Sequence, residues 1–215
     1  MPMAAFSSIS NRVNASRSQE LSMRKSISLR AAVLAFLLAG TCAAHAANIT
    51  MEQLMTTLAQ AKPAKVNFTE KKYIAQLDRP VESSGEMLFT PPDRLEKRTF
   101  KPKPERMVLD RDTLVLERGK NKFSMQLGDS PELAALIESI RATLAGDRRS
   151  LEFNFIVALQ GPRENWIMTL TPSSNEAQQK VKRIRLSGSN SEVREIEVLQ
   201  GDGDRSVTTI EKIKP

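Results

Sequence analysis

SSGEMLFTPPDRLEKRTFKPKPERMVLDRDTLVLE, residues 83–117, alternates short β-type segments with turn residues and decides the fold. The turn residues lie at Pro91-Pro92-Asp93, at Pro102 to Pro104 and at Asp110 to Asp112. Connections this short join antiparallel strands as hairpins, whereas parallel strands need a long crossover. The stretch therefore predicts consecutive antiparallel strands. They are Ser83–Thr90, Arg94–Phe100, Glu105–Asp110 and Thr113–Glu117.

Strand patterns continue on both sides of this stretch. Apolar and polar residues alternate from Leu151 to Gln160, which is typical of a strand with one buried face. The other predicted strands are Lys65–Leu77, Lys122–Leu127, Trp166–Leu170, Lys182–Leu186, Arg194–Leu199 and Ser206–Ile213. The sequence thus predicts about eleven strands.

Two amphipathic helices are also predicted. The first follows a capping box of Thr50 and Gln53 and stops at Pro63. The second follows Ser130 and ends at Gly146. The apolar stripes are Met51, Leu54, Met55 and Leu58 in the first helix and Leu133, Leu136, Ile137, Ile140 and Leu144 in the second. The predicted outer face of the second helix carries Glu132, Glu138, Ser139 and Arg141.

About eleven antiparallel strands rarely stay in one flat sheet, because strand twist accumulates. We predict a mainly β (α+β) domain, in which a single curled antiparallel sheet forms an unclosed half-barrel with the two helices in its concave side. Such an interior is larger than two helices fill, which predicts a hydrophobic ligand cavity. Its candidate lining residues are Phe89, Phe123, Met125, Leu136, Ile137, Ile140, Phe153, Phe155, Val157, Trp166 and Met168. Ordinary core packing is the alternative for these residues.

A secretory signal peptide precedes the domain. Residues 23–46 combine a basic segment, a short apolar run and a cleavage motif of the A-x-A type. We predict cleavage between Ala46 and Ala47, which leaves residues 47–215 as a mature periplasmic domain. Residues 1–22 are interpreted as an upstream extension. The apolar run is shorter than the roughly 20 residues that a membrane-spanning helix needs.

The predicted cleavage also limits the chemistry of the mature protein. It removes Cys42 and His45, which are the only cysteine and the only histidine of the chain. The mature chain then has no thiol or imidazole for nucleophilic catalysis or zinc binding. Catalysis by carboxylates alone stays open, but the sequence contains no motif for it, so we predict no enzyme, no cofactor and no metal. Asp202 and Asp204 are interpreted as hairpin-turn residues, since calcium needs more oxygen ligands. Lipid attachment to Cys42 is the alternative to plain cleavage.

The charge argues against nucleic acid as a partner. The chain carries a net charge of +7, but five of its 32 basic residues and one of its 25 acidic residues lie in residues 1–46, so the mature part carries +3. A mildly basic surface with few aromatic residues is not typical of nucleic-acid binding. A basic segment is either a solvated outer face or a docking site for anionic headgroups. It consists of Lys180, Lys182, Arg183 and Arg185.

The order helix, six strands, helix, five strands resembles the LolA-like periplasmic carriers of outer-membrane lipoproteins over roughly residues 49–213. The segments that carry the resemblance are Val66-Asn67-Phe68-Thr69-Glu70, Gly85 to Leu95, Val108 to Leu114, Trp166 to Pro172, the Ile184/Leu186 and Ile196/Val198 strands, and Gly201-Asp202-Gly203-Asp204. The chain looks like a divergent member of this family.

The resemblance implies a monomeric carrier. It would take an acylated lipoprotein or a lipid from an inner-membrane transporter, hold the acyl chains in the half-barrel and pass the cargo to an outer-membrane acceptor. Pro91 stands where the family typically has an arginine that ties down a helical lid. We therefore expect the Ser130–Ala145 helix to be a lid that opens easily. A membrane-anchored receptor or interaction module of an envelope lipid-export system stays open as the alternative, and a lipid hydrolase is a more distant one.

Overall fold

Eleven antiparallel strands form a single sheet in the computed structural model, which describes residues 48–61 and 65–213. The strands lie in the order β6-β5-β4-β3-β2-β1-β11-β10-β9-β8-β7. Their bounds are β1 Lys65–Tyr73, β2 Val81–Thr90, β3 Arg94–Lys101, β4 Glu105–Asp110, β5 Thr113–Arg118, β6 Asn121–Gln126, β7 Phe155–Gln160, β8 Trp166–Pro172, β9 Val181–Ser189, β10 Glu192–Gln200 and β11 Arg205–Lys212. The predicted fold class is confirmed.

The sheet consists of two meanders that meet at its centre. Strands β1 to β6 form one meander and β7 to β11 form the other, and β1 pairs with β11 from Val66 opposite Lys212 to Tyr73 opposite Arg205. Strands β6 and β7 are the two outermost strands, so the sheet is not closed into a barrel. The connection between them, residues 127–154, must therefore run from one edge of the sheet to the other.

Four α-helices accompany the sheet in the described part of the chain. They are α1 Met51–Ala59, α2 Pro131–Ala145, α3 Arg148–Asn154 and α4 Asn175–Lys180, and a 3-10 turn at Leu127–Asp129 precedes α2. The predicted capping box is present, since Gln53 N donates to Thr50 Oγ1 and Thr50 N donates to Gln53 Oε1. Gly146 ends α2 with a φ of 68°, and a Cβ built on it would lie 2.3 Å from the carbonyl oxygen of Met55. The end of α2 therefore lies directly against α1.

The two faces of the sheet differ in chemistry. The helices cover one face, which we call the inner face, and apolar side chains gather there. The outer face carries ion pairs, in which Glu96 Oε1 accepts from Arg106 Nε of the neighbouring strand β4 at 3.0 Å and from Arg98 Nε of its own strand β3 at 2.6 Å. These two hydrogen bonds hold the pKa of Glu96 below its ordinary value. The charged outer face stays in water, and the inner face provides the core.

The prediction of one strand from Leu151 to Gln160 is wrong in its first half. Residues Arg148–Asn154 form α3, and β7 begins only at Phe155. Leu151 and Phe155 are both buried, and they are four residues apart, a spacing that fits a helix as well as strand alternation. Asp147 caps the helix, because its carboxylate accepts from the Ser150 backbone N at 3.1 Å and from the Ser150 hydroxyl at 2.7 Å. The cap favours a helical start for this segment.

Replacing Asp147 by alanine is expected to lower the free energy of unfolding by about 1 kcal/mol, because the α3 cap is lost. The hydrogen bonds from Ser150 hold the pKa of Asp147 below its ordinary value. A lowered folded-state pKa stabilises the fold above the ordinary carboxyl pKa, and this stabilisation is lost as the pH falls through the folded-state value. Denaturant titrations should therefore show the difference between wild type and variant at neutral pH, and a smaller one in acid. A difference that does not change with pH would contradict the assignment.

The predicted outer face of α2 is also wrong in one residue. Ser139 is fully buried, as is Thr143 one turn further on. Their hydroxyls donate within the helix, from Ser139 Oγ to Leu136 O at 2.7 Å and from Thr143 Oγ1 to Ser139 O at 2.6 Å, which allows them to be buried without an external partner. Helix α2 contacts α1, α3, α4 and β9, so it is covered on more than one side.

Several predicted features fall outside the described residues. They include the signal peptide with its cleavage site between Ala46 and Ala47, Cys42, and the helix stop at Pro63. Among the helices that are described, none has both the length and the hydropathy that a membrane span requires.

Candidate ligand-binding cavity

A cavity of about 880 Å³ lies between the centre of the sheet and helix α2. Ile140 and Leu144 of α2 form its roof. Its floor consists of apolar side chains from six strands of both meanders, which all belong to the inner face. These side chains are Val66, Met87, Phe89, Leu95, Leu186, Ile196 and Ile210. The volume lies within the range of small-molecule and cofactor sites.

The cavity exists because the helices fill the two sides of the inner face and leave its middle open. Helix α1, one side of α2 from Ala135 to Ala142, and Leu151 of α3 pack over β7 to β10 in one hydrophobic cluster. The first half of α2 and the 3-10 turn pack over β4 and β5 in a second cluster, which contains Ile137. The strip between the two clusters lies over β1, β2 and β11, where the two meanders join.

Polar residues gather along one margin of the cavity. This cavity rim consists of Ser191, Glu192, Arg194, Glu211 and Lys212, from the β9–β10 turn, the start of β10 and the end of β11. Lys212 forms an ion pair with Glu192. Arg194 is exposed, and no ion pair within residues 48–61 and 65–213 includes it. The cavity thus has an apolar floor and a charged rim.

Phe89 and Ile140 are the predicted lining residues that the structure places at the cavity. Phe155, Trp166 and Met168 lie instead in the hydrophobic core, with exposed fractions of 3%, 0% and 0%. The partly buried Leu136 and Val157 pack against this core, whereas Ile137 and Met125 belong to the second cluster. Phe123 is 61% exposed on the edge strand β6, and Phe153 is 83% exposed because it lies on α3 rather than in a strand.

Most residues of the cavity floor are not among the predicted lining residues. The missed residues are Val66, Met87, Leu95, Leu186, Ile196 and Ile210. The available signal was strand pairing, because Val66 lies opposite Met87 and Ile196 lies opposite Leu186 on the inner face. This signal identifies inner-face residues, but it does not reveal which of them a helix covers.

The contacts of Trp166 explain why β8, the most apolar strand, belongs to the hydrophobic core. Its ring packs on Gly188 of β9, where an added Cβ would lie 2.4 Å from Cζ2 of the ring. Its indole Nε1 donates to the backbone oxygen of Asn190 at 3.0 Å. Both the apolar ring and its polar atom are therefore satisfied within the fold, which makes Trp166 a structural residue.

The chemistry that the cavity offers is burial of apolar groups. Its floor and roof are aliphatic, aromatic or thioether side chains, which have no group able to transfer a proton or to attack an electrophile. Among the described residues, no three His, Cys, Asp or Glu side chains are close enough together to hold a metal ion. The arrangement is suited to hold a hydrocarbon chain.

The comparison with protein families identifies the class. A family model described as "Outer membrane lipoprotein carrier protein LolA-like" matches residues 43–212. The chain belongs to this LolA-like family, so the resemblance inferred from the sequence is confirmed.

The solved structures that the chain matches are distant in sequence. A LolA superfamily protein from Nitrosomonas europaea is 9% identical, with a TM-score of 0.41 over 78% of this chain and 94% of that one. LprF from Mycobacterium bovis is 10% identical, with a TM-score of 0.36 over 77% and 94% of the two chains. A DUF1329 family protein from Desulfovibrio piger is 10% identical, with a TM-score of 0.33 over 75% and 88%. No curated protein sequence matched the chain.

Proposed function

We propose that the protein is a non-enzymatic periplasmic carrier. It binds the acyl chains of a lipoprotein or a lipid in the cavity and shuttles this cargo from an inner-membrane transporter towards an outer-membrane acceptor. The observation that carries the proposal is the cavity of about 880 Å³ with its apolar floor and roof. Membership of the LolA-like family supports the carrier role, and the signal peptide predicted from residues 23–46 supports the location.

The energetics of such a cavity suit a carrier. Each methylene that leaves water contributes about 0.8 kcal/mol, so that eight buried methylenes give roughly 6 kcal/mol before the free energy lost on association is subtracted. Binding of this size holds a cargo and still allows its release. Met87 in the floor adds an adaptable side chain, which tolerates acyl chains of varied shape.

Entry of cargo requires movement of the roof, and α2 is the element that forms it. Ile137 anchors the first half of α2 in the second cluster, while Gly146 lies against α1 at its other end. Pro91 lines the cavity and brings no charge that could hold α2 down. The proposal therefore includes α2 as a lid that opens by releasing one of its two anchored ends.

The test is a chain-length series of saturated fatty acids against the purified mature domain, read by displacement of a fluorescent fatty-acid probe. We expect the Kd to fall by up to about fourfold for each added methylene, until the cavity is filled. Native mass spectrometry of the protein from the periplasm should show a bound lipid. An affinity that does not depend on chain length would contradict the carrier function and favour the interaction module.

A further inference from the structure

We infer that the cargo of this cavity is an amphiphile with an anionic polar end, a carboxylate or a phosphate, which Arg194 binds at the cavity rim. This inference rests on the proposed function and adds the chemical class of the ligand. It concerns the headgroup, which the apolar floor of the cavity does not select.

The backbone directs Arg194 towards the cavity. Val193 pairs with Gly188 and Glu195 pairs with Ser187, so Arg194 is the extra residue of a β-bulge between β10 and β9. A bulge bends its strand and re-aims the side chain of the inserted residue. Val193 and Arg194 both line the cavity, whereas strict alternation would allow only one of them to do so. The bulge therefore provides a cation at the margin of an apolar space.

The charges around Arg194 leave its guanidinium available. Arg183 of β9 and Arg205 of β11, on the two strands beside β10, both pair with Glu197 on the outer face. At the rim, Glu192 already pairs with Lys212. Glu211 also lines the cavity and lies opposite Asn67 in β1, but no ion pair within residues 48–61 and 65–213 joins it to Arg194. The rim thus carries two cations and two anions, and Arg194 is the rim cation that has no ion-pair partner among the described residues.

A guanidinium in this position matches an anionic headgroup in geometry as well as in charge. Its planar fork of N–H donors binds a carboxylate or a phosphate through two parallel hydrogen bonds. Because the floor of the cavity is apolar, an amphiphile enters with its chain first and keeps its polar end at the rim. One amphiphile can then bury its chain in the cavity and pair its headgroup with Arg194 at the same time.

The experiment compares a fatty acid with the primary alcohol of the same chain length, at a pH above the carboxyl pKa and at low salt. We expect the mature wild-type domain to bind the acid about tenfold more tightly than the alcohol. In Arg194→Gln the affinity for the alcohol should stay, and the preference for the acid should fall to about one. Arg183→Gln, a change of an outer-face arginine on the adjacent strand, should keep the preference.

The outcomes separate the headgroup inference from the proposed function. If neither amphiphile binds to wild type, the carrier function itself is contradicted. If both bind equally, the anionic headgroup is contradicted. If Arg194→Gln keeps the preference, the assignment of Arg194 as the headgroup partner is contradicted. The carrier function stands in both cases. Acetate and inorganic phosphate serve as free anions without a chain. Displacement of the probe by either of them at the concentration of the fatty acid would overturn the requirement for an amphiphile.

Discussion

Replacing Trp166 by alanine is expected to lower the free energy of unfolding by about 3–5 kcal/mol. The Trp166 side chain is fully buried in the larger hydrophobic cluster, and its ring fills the space above Gly188. The substitution leaves a cavity and removes the hydrogen bond from the indole Nε1 to Asn190. Because domains of this kind have only about 5–15 kcal/mol of stability, the variant should be close to unfolding at physiological temperature.

Equilibrium denaturation in urea, followed by circular dichroism, measures this effect. Ile167→Ala is the matched control, because Ile167 is the next residue of β8, points to the outer face and is only partly buried. The control should lose much less stability than Trp166→Ala. Equal losses in the two variants would mean that Trp166 is not the centre of the core.

Replacing Phe89 by glutamate is expected to weaken acyl-chain binding by roughly 50-fold or more. Phe89 lies on the inner face of β2 and lines the cavity. A carboxylate there would need water around it, which would exclude part of the acyl chain. Loss of about three buried methylenes, at about 0.8 kcal/mol each, gives this change in Kd.

The matched control for this variant is Thr90→Glu. Thr90 is the adjacent residue of β2, is exposed and lies opposite Arg94, so a glutamate there remains in water. Both variants should keep the circular dichroism spectrum of the wild type. Glutamate at Phe155 would be a poor test, because Phe155 is 3% exposed in the core and its replacement would unfold the domain. Wild-type affinity of a folded Phe89→Glu protein would contradict the cavity as the acyl site.

Most strands could be predicted because turn residues and alternation are local signals. Strand β4 has the predicted bounds, Glu105–Asp110. The first strand was predicted too long, because the apolar Ile74 and Leu77 continue the pattern although they belong to a turn, in which Leu77 N donates to Ile74 O. Helix α3 was missed because a spacing of four residues serves both a helix and a strand.

The cavity was harder to predict than the sheet, because its place depends on where the helices lie. The connection from β6 to β7 spans the whole sheet, and the helices pack where the inner face is most apolar, around Trp166, Met168 and Phe155. The high hydrophobicity of those residues led to their prediction as ligand contacts, and it is also the reason why the helices pack on them. The uncovered strip lies instead over β1, β2 and β11, whose patterns are less hydrophobic. Hydrophobicity in the sequence therefore identifies core residues more readily than residues of the binding site.

The pairing of β1 with β11 also determines at which stage of folding the binding site forms. These strands lie at opposite ends of the domain in sequence, yet Val66 of one and Ile210 of the other are both part of the cavity floor. A chain that crosses the inner membrane with its N-terminus first cannot complete this floor until its last strand has emerged. Contacts between such distant segments also form slowly. With the periplasmic location proposed above, the chain should therefore be unable to capture a lipid during translocation, and its first cargo is the one it meets after folding.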